Sequence, residues 1–220
     1  MAVLSVAACF FAIWKGWIGY VPDVKELDNP IDKFASQVYS SDGKMIGTWA
    51  RSENRVFVSG DEISPYVFKA LIATEDVRFY EHSGIDFRAL MRAIIKRGIM
   101  GQTSAGGGST ITQQLAKQLY SSTASTYAKR IVQKPIEWVI AVMLERTYTK
   151  DEILTLYLNY FDFLHNAVGI KTAAATYFSK QPKDLTLTES AMLVGMCKNP
   201  SYFNPIREPE RCRERRNVVL

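Results

Sequence analysis

The sequence predicts a mainly α domain with a small β element near its start and an apolar segment at its beginning. Three observations predict it. Apolar residues recur at helical spacing over most of the chain from Ser64 onward, β-prone residues cluster in a short stretch before that, and the first residues are apolar and uncharged. The 220 residues, 47% hydrophobic and 22% charged, suffice for one sizeable core and are too apolar for a disordered chain. A net charge of +5 suits an anionic partner, without choosing among nucleic acid, membrane surface and phosphate-bearing substrate. The cysteines Cys9, Cys197 and Cys212 form no C-x-x-C pair and are odd in number, so a disulfide framework is not expected. His82 and His165 stand at no ligand spacing, which argues against zinc.

Met1 to Trp14 carries no charge, and Lys15 interrupts before Trp17 and Tyr20. Counted to Val21, the segment reaches the roughly 20 residues that cross a bilayer, with Lys15 snorkelling and Trp14, Trp17 and Tyr20 at an interface. Residues 1–21 are therefore expected to be an uncleaved transmembrane anchor, open to trimming at its N-terminal side. The missing basic n-region disfavours a cleaved signal peptide. Residues 22–60 form a small β-rich linker, with strands at Ser36 to Tyr39 and Met45 to Trp49 around a Ser41-Asp42-Gly43 turn and a third at Arg55 to Val58.

Residues 61–220 form the main domain. Ser64-Pro65 is an N-cap and first-turn pair, opening a helix that carries Val67 and Leu71 inward and runs through Glu75. Phe87, Leu90, Met91, Ile94 and Ile95 mark a helix to about Ile99, with Arg88, Arg92 and Lys96 on another face. Such a basic amphipathic helix suits either a core edge or an anionic membrane surface. After a Gly/Ser-rich loop from Gln102 to Gly108, a helix runs from Ser109 to Tyr120, with Thr110 and Gln113 at capping-box spacing. Tyr127 to Tyr148 is a long helix with Pro135 as a kink or restart. Helices follow at Asp151 to Leu158, Ala167 to Phe178 and Thr186 to Met196, the last capped by Thr186 or Thr188. A further helix begins at Arg211.

Two segments carry chemistry. In Glu75-Asp76-Val77-Arg78-Phe79-Tyr80-Glu81-His82-Ser83-Gly84-Ile85-Asp86, a continuous helix would put Glu75, Phe79 and His82 on one face. An acid at the edge of an apolar surface is desolvated, which suits a proton acceptor near neutral pH. In Gly106-Gly107-Gly108-Ser109-Thr110-Ile111-Thr112-Gln113-Gln114-Leu115-Ala116-Lys117, a glycine-rich loop enters a helix and offers backbone N–H groups to an anion. It is not a P-loop, because G-x-x-x-x-G-K-[ST] is absent. Gln113, Gln114 and Lys117 would project from the first turns, as amides for sugar groups and an ammonium for phosphate.

These two segments resemble glycosyltransferase family 51, the transglycosylase domain of class A penicillin-binding proteins and of monofunctional peptidoglycan glycosyltransferases. Lys134-Pro135-Ile136-Glu137 with Leu144-Glu145 is similar to the family's third motif, Lys150 to Leu154 with Tyr157-Leu158-Asn159 to the fourth, and Arg215-Arg216-Asn217-Val218-Val219-Leu220 to the fifth. Gln133 stands where Arg is usual, Gln118 where Asn is usual, and Pro135 is unusual. The chain stops inside the fifth motif, so the glycosyltransferase domain is expected to be C-terminally truncated and a transpeptidase domain to follow. No Ser-x-x-Lys followed by Lys-Thr-Gly is present, so this chain itself is not expected to bind penicillin.

The resemblance implies a lysozyme-like fold, a β pedestal over residues 22–60 and an inverting polymerisation of lipid II into β-1,4 glycan with release of undecaprenyl diphosphate. It implies Glu75 as the base and Glu137 as a second essential acid. Asp76, Phe79, His82 and Asp86 would shape the site, and Ser109, Thr110, Gln113 and Gln114 would hold donor or acceptor. Lys117, Lys134, Arg215 and Arg216 would offset the diphosphate, with Mg²⁺ or Mn²⁺ as a candidate cation; Asn159 would support the fold. The implied partners are lipid II, the growing strand, membrane lipid and other cell-wall synthesis proteins, with no nucleic acid. The implied location is the bacterial cytoplasmic membrane, with the catalytic domain on its outer face. A monofunctional transglycosylase, a glycan hydrolase and a non-catalytic lipid II-binding scaffold are the alternatives.

Overall fold

Helices dominate the computed structural model, which describes residues 2–22, 36–42, 45–49, 56–95, 108–120 and 127–220. In chain order the described elements are α1 (Ala2–Trp14), β1 (Ser36–Tyr39), β2 (Met45–Trp49), α2 (Pro65–Glu75), α3 (Phe87–Ile94), α4 (Ile111–Tyr120), α5 (Tyr127–Thr147), α6 (Lys150–Tyr160), α7 (Ile170–Phe178), α8 (Leu187–Cys197) and α9 (Pro209–Val219). Short 3-10 turns lie at Gly60–Glu62, Phe79–Glu81 and Pro182–Asp184. The mainly α expectation holds. The chain forms two units, Met1–Asn29 with Arg78–Ile153, and Pro30–Val77 with Leu154–Leu220.

In the first unit, α1 has 13 residues, a rise of about 20 Å, and the expected continuation to Val21 does not form. Lys15 and Gly16 N–H groups close it by donating to the Phe11 and Ile13 carbonyls. Among the described residues no helix is long and apolar enough to cross a membrane. One side of α1 packs on α5: Ile13 is buried, and the Phe10 ring stacks on Trp138 at 6.2 Å. Phe11, Trp14, Trp17 and Tyr20 are exposed. The core of this unit comes from Phe79, Ile111, Leu115, Ile140, Ala141 and Leu144, all fully buried. Helix α5 runs unbroken through Pro135, so no restart occurs there. Helix α3 buries none of its residues, so it is not an ordinary core helix; Phe87, Met91, Ile94 and Ile95 are exposed. Lys96, Arg97 and the expected continuation to Ile99 lie outside the described residues, as does most of the Gln102 to Gly108 loop.

In the second unit, β1 and β2 pair antiparallel. Of the third expected strand, Arg55 lies outside the described residues, and Val56, Phe57 and Val58 lie in no regular element. The backbone of Val58 is satisfied by a side chain instead. Its N–H donates to Asn159 Oδ1 at 2.9 Å, and its carbonyl accepts from Asn159 Nδ2 at 2.9 Å. Helix α2 starts at Pro65 as expected, but Ser64 does not cap it; its hydroxyl donates to the Leu185 carbonyl. Val67 and Leu71 are fully buried, on a helix that packs against α8 and α9. The α8 cap is Thr186, whose hydroxyl accepts from Glu189 N while the Glu189 carboxylate accepts from Thr186 N, a closed capping box. Leu164, His165 and Asn166 all have positive φ, 65°, 51° and 62°, so α7 begins only at Ile170 rather than at Ala167. His165 Nε2 lies 3.0 Å from Asn204 Nδ2, and Tyr177 donates to the Phe163 carbonyl at 2.6 Å.

Helix α7 ends in a left-handed Ser179, φ 53°, with an exposed side chain. That conformation disfavours any residue with a Cβ. Ser179→Gly is expected to raise the unfolding free energy by about 0.5–1 kcal/mol, measured by urea denaturation.

Candidate active site

The first unit gathers the loop after Arg78 against the start of α4. Gly84 is the meeting point. Its φ is +89°, and a Cβ there would lie 2.9 Å from both the carbonyl carbon and oxygen of Ala141. The same residue's carbonyl accepts from Thr110 Oγ1 at 2.7 Å and from Gln113 Nε2 at 3.1 Å. The expected capping box at α4 is therefore only half made. Gln113 N donates to Thr110 Oγ1, but the Gln113 side chain turns to Gly84 instead of back to the cap. Thr110 and Gln113 are each 2% exposed, so neither projects outward. Gln114 is half-buried and Lys117 exposed.

Helix α2 ends at Glu75, because Asp76 leaves helical backbone at φ −156° and ψ 73°. Phe79 belongs to a separate 3-10 turn. Glu75, Phe79 and His82 therefore do not share a helix face, contrary to what their spacing suggests. Phe79 is fully buried and His82 meets it edge to face at 6.1 Å. Asp86 caps α3 through Ala89 N and takes a forked pair from Arg78, Nε at 3.0 Å and NH2 at 2.6 Å. Burial works against ionisation of Asp86. The Arg78 and Ala89 hydrogen bonds, with the charges of Arg78 and His82, outweigh it and hold the carboxyl below its ordinary range. An open cleft of about 590 Å³ borders Arg78, His82, Asp86, Phe87, Arg88 and Val142.

Two further ion pairs stand on α5. Glu137 is 2% exposed and accepts from Lys134 Nζ at 2.7 Å. The same ammonium lies 3.4 Å from Ser109 Oγ, so Lys134 joins the acid to the α4 entrance while half its side chain faces solvent. Lys150 has no role that its motif position alone would assign. Its ammonium donates to Glu145 Oε1 at 2.8 Å and to the His82 carbonyl at 2.6 Å, and lies 4.3 Å from the Phe79 ring centroid. Thr112 Oγ1 donates to the same Glu145 oxygen at 2.6 Å. Lys150 and Glu145 are distant in sequence from the residues they organise, so no local periodicity reveals them.

The second unit holds the remaining candidates. Glu75 and Arg215 are 14% and 12% exposed at the side chain, with Arg215 NH2 3.5 Å from Glu75 Oε1. Burial above all, with the charge of Glu75 adding to it, pushes the Tyr157 hydroxyl well above its ordinary range. Burial likewise pushes the Cys197 thiol up, with Glu75 adding to it. Both are neutral at working pH. Asp76 is 7% exposed. Arg216 turns away, donating to Asn217 Oδ1 at 2.9 Å, so the two arginines of that motif differ in surroundings. Asn159 is 1% exposed and is occupied with Val58 and with the Thr155 carbonyl. Among the described residues no group of three or more His, Cys, Asp or Glu side chains could hold a metal ion.

Comparison with known proteins gives a consistent result. The family model described as Transglycosylase matches residues 42–220. Penicillin-binding protein 1F of Bacillus subtilis (strain 168) is 42% identical over 201 residues, covering 91% of this chain and 27% of that protein. Penicillin-binding protein 1A of Escherichia coli (strain K12) is 39% identical, covering 99% of this chain and 25% of that protein. Penicillin-binding protein 1A of Aquifex aeolicus (strain VF5) is 40% identical, covering 99% and 30%. The chain thus spans between a quarter and a third of the length of these relatives. A crystal structure of penicillin-binding protein 1A from Haemophilus influenzae overlaps 85% of this chain and 17% of its own, at a TM-score of 0.40 and 24% identity.

Gly84→Ala is expected to lower the unfolding free energy by about 2–3 kcal/mol, because both the φ and the Ala141 backbone oppose a side chain; denaturant titration measures it. Asp86 supplies a pH-dependent increment. Its folded pKa is depressed, so the increment is full above the unfolded value of about 4 and is lost as pH falls through the folded value. The stability gap between parent and Asp86→Asn should therefore be flat above about pH 5 and narrow below about pH 4, in denaturation curves taken from neutral to acid pH.

Proposed function

The chain belongs to the transglycosylase family, whose model covers residues 42–220, and on that premise we propose that it polymerises lipid II into β-1,4-linked glycan and releases undecaprenyl diphosphate. The family match carries this reading, and the partly shielded ion pairs of Glu75 and Glu137 support it. The 4-hydroxyl of the acceptor sugar attacks the anomeric carbon of the donor. Glu75 takes the hydroxyl proton as the C–O bond forms. The bond to the diphosphate breaks on the opposite face, so the α donor linkage becomes β. The departing diphosphate carries the electron pair and needs positive charge beside it.

Lys134 suits that role, since its ammonium is half exposed and already bridges Glu137 and Ser109. Glu137 holds that ammonium in place, and Lys117 adds an exposed cation on α4. A divalent cation would need the diphosphate's own oxygens as ligands, since the described carboxylates do not cluster. Thr110 and Gln113 act on the site through Gly84, whereas Ser109, Gln114 and Arg216 are candidates for direct contact.

In this reading the chain is the glycosyltransferase part of a bifunctional class A penicillin-binding protein, with residues 61–220 as the catalytic domain and 22–60 as the pedestal. The fold is lysozyme-like. Residues 1–21 anchor it to the cytoplasmic membrane, with catalysis on the outer face. The exposed apolar ridge of α3 and the aromatic side of α1 suit membrane lipid. Other cell-wall synthesis proteins are its partners, and nucleic acid is not.

The test is to supply lipid II in detergent and follow glycan chain length. Glu75→Gln should lower the rate by about 10²–10⁴-fold. An equally active Glu75→Gln protein would overturn the assignment of the base, and digestion of preformed glycan would point to a hydrolase.

A further inference from the structure

Arg215 carries a guanidinium that the fold has taken out of solvent. Its side chain is 12% exposed and sits 3.5 Å from a Glu75 oxygen. The route to that place depends on α8. A Cβ built on Gly195 would lie 3.2 Å from Arg215 Cγ and 3.6 Å from Arg216 N. The missing side chain is thus a slot in α8, through which the arginine stem passes towards the end of α2. Phe203 flanks the guanidinium with its ring centroid at 5.9 Å. Arg215 Nε is buried and has no hydrogen-bond partner among the described residues. The guanidinium is therefore held by its packed stem and by the charge of Glu75, and a donor without an acceptor is tolerated to keep it there.

Two groups facing Glu75 from neighbouring elements carry no charge at working pH. Helix α6 presents Tyr157 and α8 presents Cys197, both pushed towards their neutral forms by burial. On the acid's own element, Lys69 is exposed and Asp76 follows directly in sequence. Arg215 from α9 brings a positive charge to within 3.5 Å of the acid. A guanidinium held by its packed stem restrains the carboxylate it pairs with, and a base must stand within reach of the proton it takes.

We propose that Arg215, admitted through the slot left by Gly195, is a positioning residue that holds the Glu75 carboxylate aimed at the acceptor, rather than a ligand of the diphosphate. This rests on the reading of Glu75 as the base. It gives Gly195 a role that no motif spacing suggests.

The test is the steady-state kinetics of lipid II polymerisation by the parent, Arg215→Gln, Arg215→Lys and Gly195→Ala, with melting temperatures recorded alongside. Arg215→Gln should lower kcat by about tenfold or more, with KM for lipid II changed by no more than about twofold. Arg215→Lys should restore most of kcat. Gly195→Ala should lower kcat by less, since the stem is displaced rather than removed. If Arg215→Gln does not fold, the kcat and KM of Gly195→Ala decide. An unchanged kcat overturns the proposal, as does a rise in KM alone, which would make Arg215 a substrate contact. Glu75→Gln distinguishes the two readings. Its inactivity together with an unchanged kcat in the Arg215 and Gly195 variants sinks the positioning role alone, whereas its full activity removes the base on which both depend.

Discussion

The carbonyl of Gly84 is the point on which the first unit's candidate site depends. Two side chains from the entrance of α4 converge on it, while its α-carbon lies against the α5 backbone. A main-chain oxygen buried this way needs its partners, because leaving it unmet costs about 1–3 kcal/mol. Thr110 and Gln113 are consequently committed to holding the loop. The position of Ser109, next in sequence, follows from theirs, and with it the contact to Lys134. A polar motif that invites reading as a row of substrate contacts is in part a clamp.

Four acids in the two units each stand beside a cation. Asp86 has Arg78, Glu137 has Lys134, Glu145 has Lys150 and Glu75 has Arg215. An acid withdrawn from water is costly unless a cation comes with it, so each pair offsets its own desolvation. The pairs are not equivalent. Arg78 grips Asp86 by a fork at hydrogen-bonding distance, which fits a structural cap. Arg215 stands off from Glu75 at 3.5 Å, which restrains the acid without saturating it. Lys134 leaves half its side chain in solvent, so it can answer to an incoming anion. The stiffness of each pair matches the role it suits.

Most helices were legible because their signals are local. Pro65 after Ser64, the Thr186 and Glu189 pair, and the 3.6-residue spacing in α3 each involve residues a turn apart. What sequence spacing missed depends on residues far apart. The end of α2 at Asp76 has no strong breaker, and that invited the wrong shared face for Glu75, Phe79 and His82. Val58 joins no strand because Asn159, 101 positions away, satisfies it. The apolar face of α3 had the right period, but period alone does not say whether a face meets protein or surroundings. Family motifs singled out Glu75 and Glu137 as candidates where composition could not, yet they did not distinguish Arg215 from Arg216, whose surroundings differ sharply.

The Asn159 amide, standing in for a neighbouring strand, bears on how the polypeptide is assembled. Its partner Val58 emerges from the ribosome long before it, and α2 likewise waits for α8 and α9, which lie on the far side of the first unit in sequence. The second unit cannot close while the chain is being extended through residues 78–153. Contacts this distant in sequence slow folding relative to a simple helical bundle. During synthesis, the segment from Val56 to Val77 must remain unpaired and keep its apolar side chains from other partners. A helical protein thereby acquires the late, non-local closure more usual for a β-sandwich.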